Sequence, residues 1–246
     1  MTKTSETGHA KNVANFEELT NLVLSHGMMY NPSRSAIKVQ GLQMLLSEAK
    51  NSLQNVTNAL PPYKMAAAER ETAFQIVPSL TTRLVNSLKA TDTTSRMDET
   101  AQSLARKIKG ERAKTIQPTT AEATATGAEN KHISTAQTSF DSVLDNFDKL
   151  IKHLQNIPQF TPNEIELQPQ SLNTLCETLR GKNNQVKITA IALDNARIAR
   201  NKVLYQPISG LTDIAADVKT YVKSVFGATS PQFRQISGLV FSQLKK

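Results

Sequence analysis

Apolar residues fall three and four positions apart along most of this chain, and that spacing decides its fold class. Phe140, Val143, Phe147, Leu150, Leu154 and Ile157 step by 3, 4, 3, 4 and 3, which aligns all six along one helical seam. Further seams run through Val13, Phe16, Leu19 and Val23; through Leu42, Leu45, Ala49, Leu53, Val56 and Leu60; and through Leu80, Leu84 and Leu88. They recur at Leu211, Ile214, Val218, Val222 and Val225, then at Phe233, Val240 and Leu244. No Asn-Gly or Asp-Gly joins two alternating apolar runs, so hairpin signals are lacking. Val186, Ile188, Ala190 and Ala192 alternate as a strand would, but Ile188, Ile191, Asn195, Ala199 and Val203 continue the helical spacing, and the helix is preferred. The chain has nine glycines, roughly half the average usage. An all-α fold is expected.

Prolines punctuate these helices. Proline at the first helical position gives up an N–H that would lack a partner anyway, and a preceding Ser, Thr or Asn caps the next donors. Asn31-Pro32, Thr161-Pro162 (with Glu164 completing a capping box) and Ser230-Pro231 therefore read as helix starts. Pro61-Pro62 reads as a break between two helices, Pro78 as a kink or end, and Pro207 to Gly210 as an interruption.

The landmarks repeat. Asn15-Phe16 and Leu19 match Asn146-Phe147 and Leu150 at an offset of 131, and Tyr30, Pro32, Gln40, Leu42 and Leu45 match Phe160, Pro162, Gln170, Leu172 and Leu175 at 130. Ala59-Leu60 matches Ala192-Leu193 at 133; Leu80, Leu84 and Leu88 match Val218, Val222 and Phe226 at 138; Met97, Leu104 and Ile108 match Phe233, Val240 and Leu244 at 136. A diverged tandem duplication accounts for the shared order, with insertions near Lys182-Asn183-Asn184 and around Tyr205 to Gly210. Between the halves, residues 111–134 hold no Leu, Val, Met or aromatic residue and are rich in Thr and Ala. Such a segment lacks the apolar surface to join a core. The expected organisation is a flexible tail at 1–12, a helical module at 13–110, a linker at 111–134 and a second module at 135–246. Each module would be a bundle of about four helices, the two related by a pseudo-two-fold axis.

The stretch Tyr221-Val222-Lys223-Ser224-Val225-Phe226-Gly227-Ala228-Thr229-Ser230-Pro231-Gln232-Phe233 resembles a segment near the C-terminus of an uncharacterised family of duplicated helical proteins from Bacteroidota. The resemblance spans about 25 residues with Arg234 to Phe241; it implies an all-helical fold and assigns no site. The residues themselves read as a helix capped at Gly227 in the left-handed region, then a new start at Ser230-Pro231.

Few residues suggest catalysis. His9, His26, His132 and His153 are scattered and read as surface histidines, and Cys176 matches Leu46 in the repeat and reads as a small core hydrophobe. One cysteine excludes an internal disulfide framework. Glu-x-x-His occurs only at Glu6/His9 and Glu129/His132, off the core helices, which disfavours a di-metal carboxylate bundle. Gly110, Gly127 and Gly181 are isolated, so no phosphate loop is legible. No catalytic residue, cofactor or metal is expected. The N-terminal segment has no charged head followed by an apolar run and no window is long and apolar enough to span a bilayer, so a cytoplasmic location is expected.

Binding is the remaining class. The net charge of +8 divides evenly, +4 over residues 1–123 and +4 over 124–246, as in a mildly basic protein without a focused stripe. Arg106, Lys107, Lys109, Arg112 and Lys114 cluster at one helix end, and Arg197 and Arg200 share a later helix face near Lys202; these are the candidate polyanion contacts. Met28, Met29 and Tyr30 match the segment from Ile157 to Phe160 in the repeat and are the candidate protein interface, or else turns packed on the core. The expected function is protein–protein interaction or assembly without catalysis, with nucleic-acid or polyanion binding as the alternative and membrane action by a helical bundle as the second.

Overall fold

A computed structural model describes residues 6–111 and 138–243. These residues form eight α-helices and three short 3₁₀ turns, with no strand among them. The helices are α1 (Glu6–Ser25), α2 (Val39–Phe74), α3 (Val77–Lys89), α4 (Ser95–Lys109), α5 (Phe140–Gln155), α6 (Pro169–Tyr205), α7 (Leu211–Phe226) and α8 (Pro231–Ser237). The helical periodicity is thus borne out.

The compact units are not the two sequence halves. One comprises Met1–Lys64 with Thr189–Lys246, the other Met65–Ile188. The boundaries at 13–110 and 135–246 fail because α2 and α6, with 36 and 37 residues, are single helices whose beginnings and ends belong to different units. Pro61 and Pro62 lie inside α2 and do not end it. Val56 before them and Ala66 after them are both buried. The stretch Lys182-Asn183-Asn184 is likewise helical.

The first unit's core joins Val13, Phe16, Leu19 and Val23 of α1 to Leu211, Ile214, Val218 and Val222 of α7, with Leu42 and Ala49 of α2 and Leu204 of α6. The expected tail at 1–12 is part of α1 from Glu6, and His9 and Asn12 are buried. Their side chains meet the end of α6 and the C-terminal segment. His9 Nδ1 lies 2.7 Å from the Tyr205 hydroxyl, Asn12 Nδ2 donates to the Ser242 carbonyl at 2.8 Å, and Ser242 N–H donates to Asn12 Oδ1 at 2.9 Å. Asn15 Nδ2 donates to the Val240 carbonyl at 2.7 Å. These bonds occupy backbone groups that a longer α8 would use, and α8 stops at Ser237. The seam Phe233, Val240, Leu244 therefore does not form: Val240 is exposed and Leu244 lies outside the described residues, while Ile236 and Leu239 fill the core.

Neither Asn31-Pro32 nor Thr161-Pro162 starts a helix. Both are followed by a 3₁₀ turn, Ser35–Ile37 and Ile165–Leu167, that buries its last residue. Pro169, at the first position of α6, is the proline that obeys the rule. Ser230 caps α8 as expected, accepting from Phe233 N–H at 3.1 Å, and Ser139 caps α5 in the same way. Pro78 lies in the first turn of α3, and α7 begins directly after Gly210. Gly227 has the expected positive φ of 87°, though its ψ of 156° lies outside the left-handed helical region.

Tyr30 anchors the first of these turns, donating to the Ile37 carbonyl at 2.6 Å and meeting Tyr221 edge-on at 5.2 Å. Burial, with Tyr221 beside it, pushes the phenol well above its ordinary value of 10.0. The folded state keeps this proton where the unfolded chain loses it, so stability falls as pH rises above about 10. In Tyr30→Phe that alkaline fall is expected to flatten, at a cost of about 1 kcal/mol at neutral pH for the lost hydrogen bond, read by denaturant melts across pH.

The second unit's core runs from Phe74 through α3 and α4 to Phe147, Leu150, Ile151 and Leu154 of α5 and Leu172, Cys176 and Leu179 of α6. At its edge Asn183 accepts from Arg70 Nη1 at 3.1 Å and donates to Asp141 Oδ1 at 2.7 Å. The Lys187 ammonium, 2.7 Å from the same oxygen, holds the Asp141 carboxyl below its usual range.

Candidate functional site

The first unit carries a groove of about 560 Å³ lined by the first turns of α2, the preceding 3₁₀ turn and the loop between α6 and α7. Gly41 permits the close approach of α2 to the turn, since a Cβ there would lie 2.5 Å from the Ser35 carbonyl oxygen. Two large apolar side chains stand at the groove unsheltered, Met44 at 68% and Ile208 at 74% exposure. Lys38 and Glu48 also line it, giving it one cation and one anion besides Arg34.

Ile208 has φ of 70°, the one non-glycine residue with positive φ among those described. A β-branched residue there costs about 1–3 kcal/mol. Polar bonds hold it in place: its N–H donates to Asp213 Oδ2 at 2.9 Å and its carbonyl accepts from Arg34 Nη2 at 3.0 Å, while Arg34 Nη1 pairs with Asp217 at 2.5 Å. The loop spends local strain to display an isoleucine in water.

A second concavity, about 370 Å³, lies between α3 and α4 in the other unit. Thr82 and Asn86 of α3 and Gln102, Arg106 and Lys109 of α4 line it over a floor of Val85 and Ala105, with Glu111 at one side. Gly110, at φ 70°, ends α4 in the left-handed conformation, and Glu111 N–H then donates to the Arg106 carbonyl at 2.9 Å.

The structure divides the candidate polyanion residues. Arg106 and Lys109 face this pocket, whereas Lys107 faces a separate depression with Arg96, Glu99 and Thr100. Arg112, Lys114 and the whole proposed linker except Glu111 lie outside the described residues. Arg200 is 3% exposed and engaged with the Asn201 side chain, so it is no surface contact; a helix face chosen by spacing alone carries no information on which side is covered. Arg197 stays partly exposed, 3.6 Å from Asp194.

The candidate interface also divides. Met28 and Met29 are exposed, but Tyr30, Ile157 and Phe160 are buried in the two cores. Aromatic and branched side chains after a helix end fold back over the apolar face the helix leaves open. The histidines likewise depart from a surface reading. His9 is buried, and His153 Nε2 lies 3.0 Å from the Met97 carbonyl oxygen. His26 rests against Phe226 at 5.0 Å, and burial lowers its pKa. His132 lies outside the described residues. Cys176 fills a core position, and burial, reinforced by the Asp148 carboxylate, pushes its thiol up and keeps it protonated at neutral pH.

Among the described residues no group of His, Cys, Asp and Glu has a metal-binding arrangement, and no helix is long and apolar enough to cross a membrane. Comparison of the chain with protein-family models, curated proteins and solved structures finds no match. The residues that sequence reasoning missed are Met44 and Ile208 on the groove and Asn86 and Gln102 in the pocket. Pro207 and Gly210 announced a turn, but nothing local marks position 208 for a positive φ.

Proposed function

We propose that this chain is a non-catalytic helical protein that works by associating with another polypeptide through the groove of its first unit. The observation that carries this reading is Ile208, held exposed in a strained conformation beside the exposed Met44. Exposed apolar side chains on a scaffold that resists relaxation are what a protein partner buries.

The test is size-exclusion chromatography with light scattering at low and high salt, reading 260 and 280 nm together. A salt-resistant oligomer that falls to the 27.0 kDa monomer in the double variant Met44→Asp/Ile208→Asp supports self-assembly through the groove. A monomer at both salts leaves a different polypeptide as the partner. A 260 nm excess lost at high salt favours the polyanion alternative. A further expectation has opposite signs in two assays. Ile208→Gly relieves the backbone strain and should raise stability by about 1 kcal/mol, net of the glycine's greater chain entropy, while association weakens.

We also infer that the chain arose by tandem duplication of a helical module. Support comes from the shared order of elements, with a 3₁₀ turn before each long helix, and from matched burial at Phe16 and Phe147, Leu19 and Leu150, Tyr30 and Phe160, and Leu42 and Leu172. In this reading each ancestral copy contributed to both cores, as the copies of an intertwined homodimer do.

A further inference from the structure

We propose that the pocket between α3 and α4 binds the phosphate group of a small phosphorylated molecule. This site belongs to the second unit, and the groove to the first. Of its six polar side chains, five carry hydrogen-bond donors. Gln102, Arg106 and Lys109 follow at i, i+4 and i+7 along one face of α4, and Thr82 and Asn86 at i and i+4 along α3. Arg106 and Lys109 line it together with one carboxylate among the described residues, Glu111. Lys109 Nζ forms an ion pair with Glu111 at 3.8 Å, longer than a hydrogen bond, and no ion pair is formed by Arg106 among the described residues.

Physical chemistry then selects the ligand. A planar guanidinium matches two oxygens of a phosphate at once, and charge-assisted bonds of this kind are the strong ones. The carbonyls of the last turn of α4 disfavour an anion, and two of them, those of Arg106 and Lys107, are occupied by the Gly110 and Glu111 N–H groups. The apolar floor of Val85 and Ala105 is small, enough for a short carbon skeleton, and Glu111 can accept from a hydroxyl or amine on it. Among the described residues no aromatic side chain lines the pocket to stack on a nucleobase, and the volume of about 370 Å³ is that of a small-molecule site.

The experiment is a titration of the full chain at constant ionic strength, followed by NMR of the Asn86 and Gln102 side-chain amides and the Arg106 Nε–H. The probes are inorganic phosphate, glycerol 3-phosphate and a short thymidine oligonucleotide. Saturable shifts confined to these groups are expected with the first two. Affinity should fall about tenfold or more in Arg106→Gln and by a few-fold in Gln102→Ala, and hold in Lys107→Gln, whose side chain faces elsewhere. Tighter binding of glycerol 3-phosphate than of inorganic phosphate identifies an ester as the ligand; equal binding identifies the free ion. Linear shifts without saturation overturn the proposal, as does an Arg106→Gln titration like that of the parent. Tight binding of the oligonucleotide alone, lost equally in Arg106→Gln and Lys107→Gln, also overturns it and reveals a diffuse polyanion surface.

Discussion

Residues 1–111 expressed alone will not yield a cooperatively folded monomer. Of the sixteen buried residues in the first unit's core, eight lie between Val13 and Ala49 and eight between Leu204 and Leu239. The second core takes nine from Phe74 to Ile108 and eleven from Leu144 to Leu179. A half-chain therefore exposes an apolar face at each end of α2, and net stabilities of about 5–15 kcal/mol leave no margin for losing half of two cores. Circular dichroism and hydrogen exchange should show an unfolded or self-associated chain, and mixing with residues 138–246 should restore protection in both units. A folded, protected monomer from residues 1–111 would contradict this partition of the cores.

Phe16→Ala and Phe147→Ala are expected to be the most damaging single substitutions. Both side chains are fully buried, and removing a buried phenylalanine costs about 3–5 kcal/mol through lost transfer energy and the cavity left behind. Phe16 lies on α1 in the core of the first unit and Phe147 on α5 in the core of the second. Denaturant melts should show similar losses for the two. A loss below about 1 kcal/mol for either would mean the side chain is not a core anchor.

Much of this was legible. Spacing named Phe16, Leu19 and Val23, and Leu80, Leu84 and Leu88, as core residues, and all are buried. It named the cap at Ser230, and it reads Pro78 as a kink or an end, where α2 ends at Phe74 and Pro78 stands in the first turn of α3. Local rules failed where distant residues intervened. Pro61-Pro62 reads as a break because a proline's cost is local, yet both lie inside α2, with Val56 and Ala66 buried on either side. The last seam reads as helix because Phe233, Val240 and Leu244 are well spaced, whereas Asn12 and Asn15, more than 200 residues earlier, take the backbone groups that such a helix would need.

The candidate sites were far less legible. A row of cations in sequence says nothing of which neighbours share a concavity, and only the packing of α3 on α4 sets Arg106 and Lys109 beside Asn86 and Gln102 while turning Lys107 away. Arg200 and Arg197 look equivalent on a helical wheel, and burial separates them.

By itself, then, the sequence determined the helical class and the positions that face a core, because both follow from side-chain periodicity within a few turns. The tertiary structure decided which helices share a core, where α8 ends and which polar side chains meet. Those outcomes depend on contacts between residues far apart in the chain, and no local spacing encodes them.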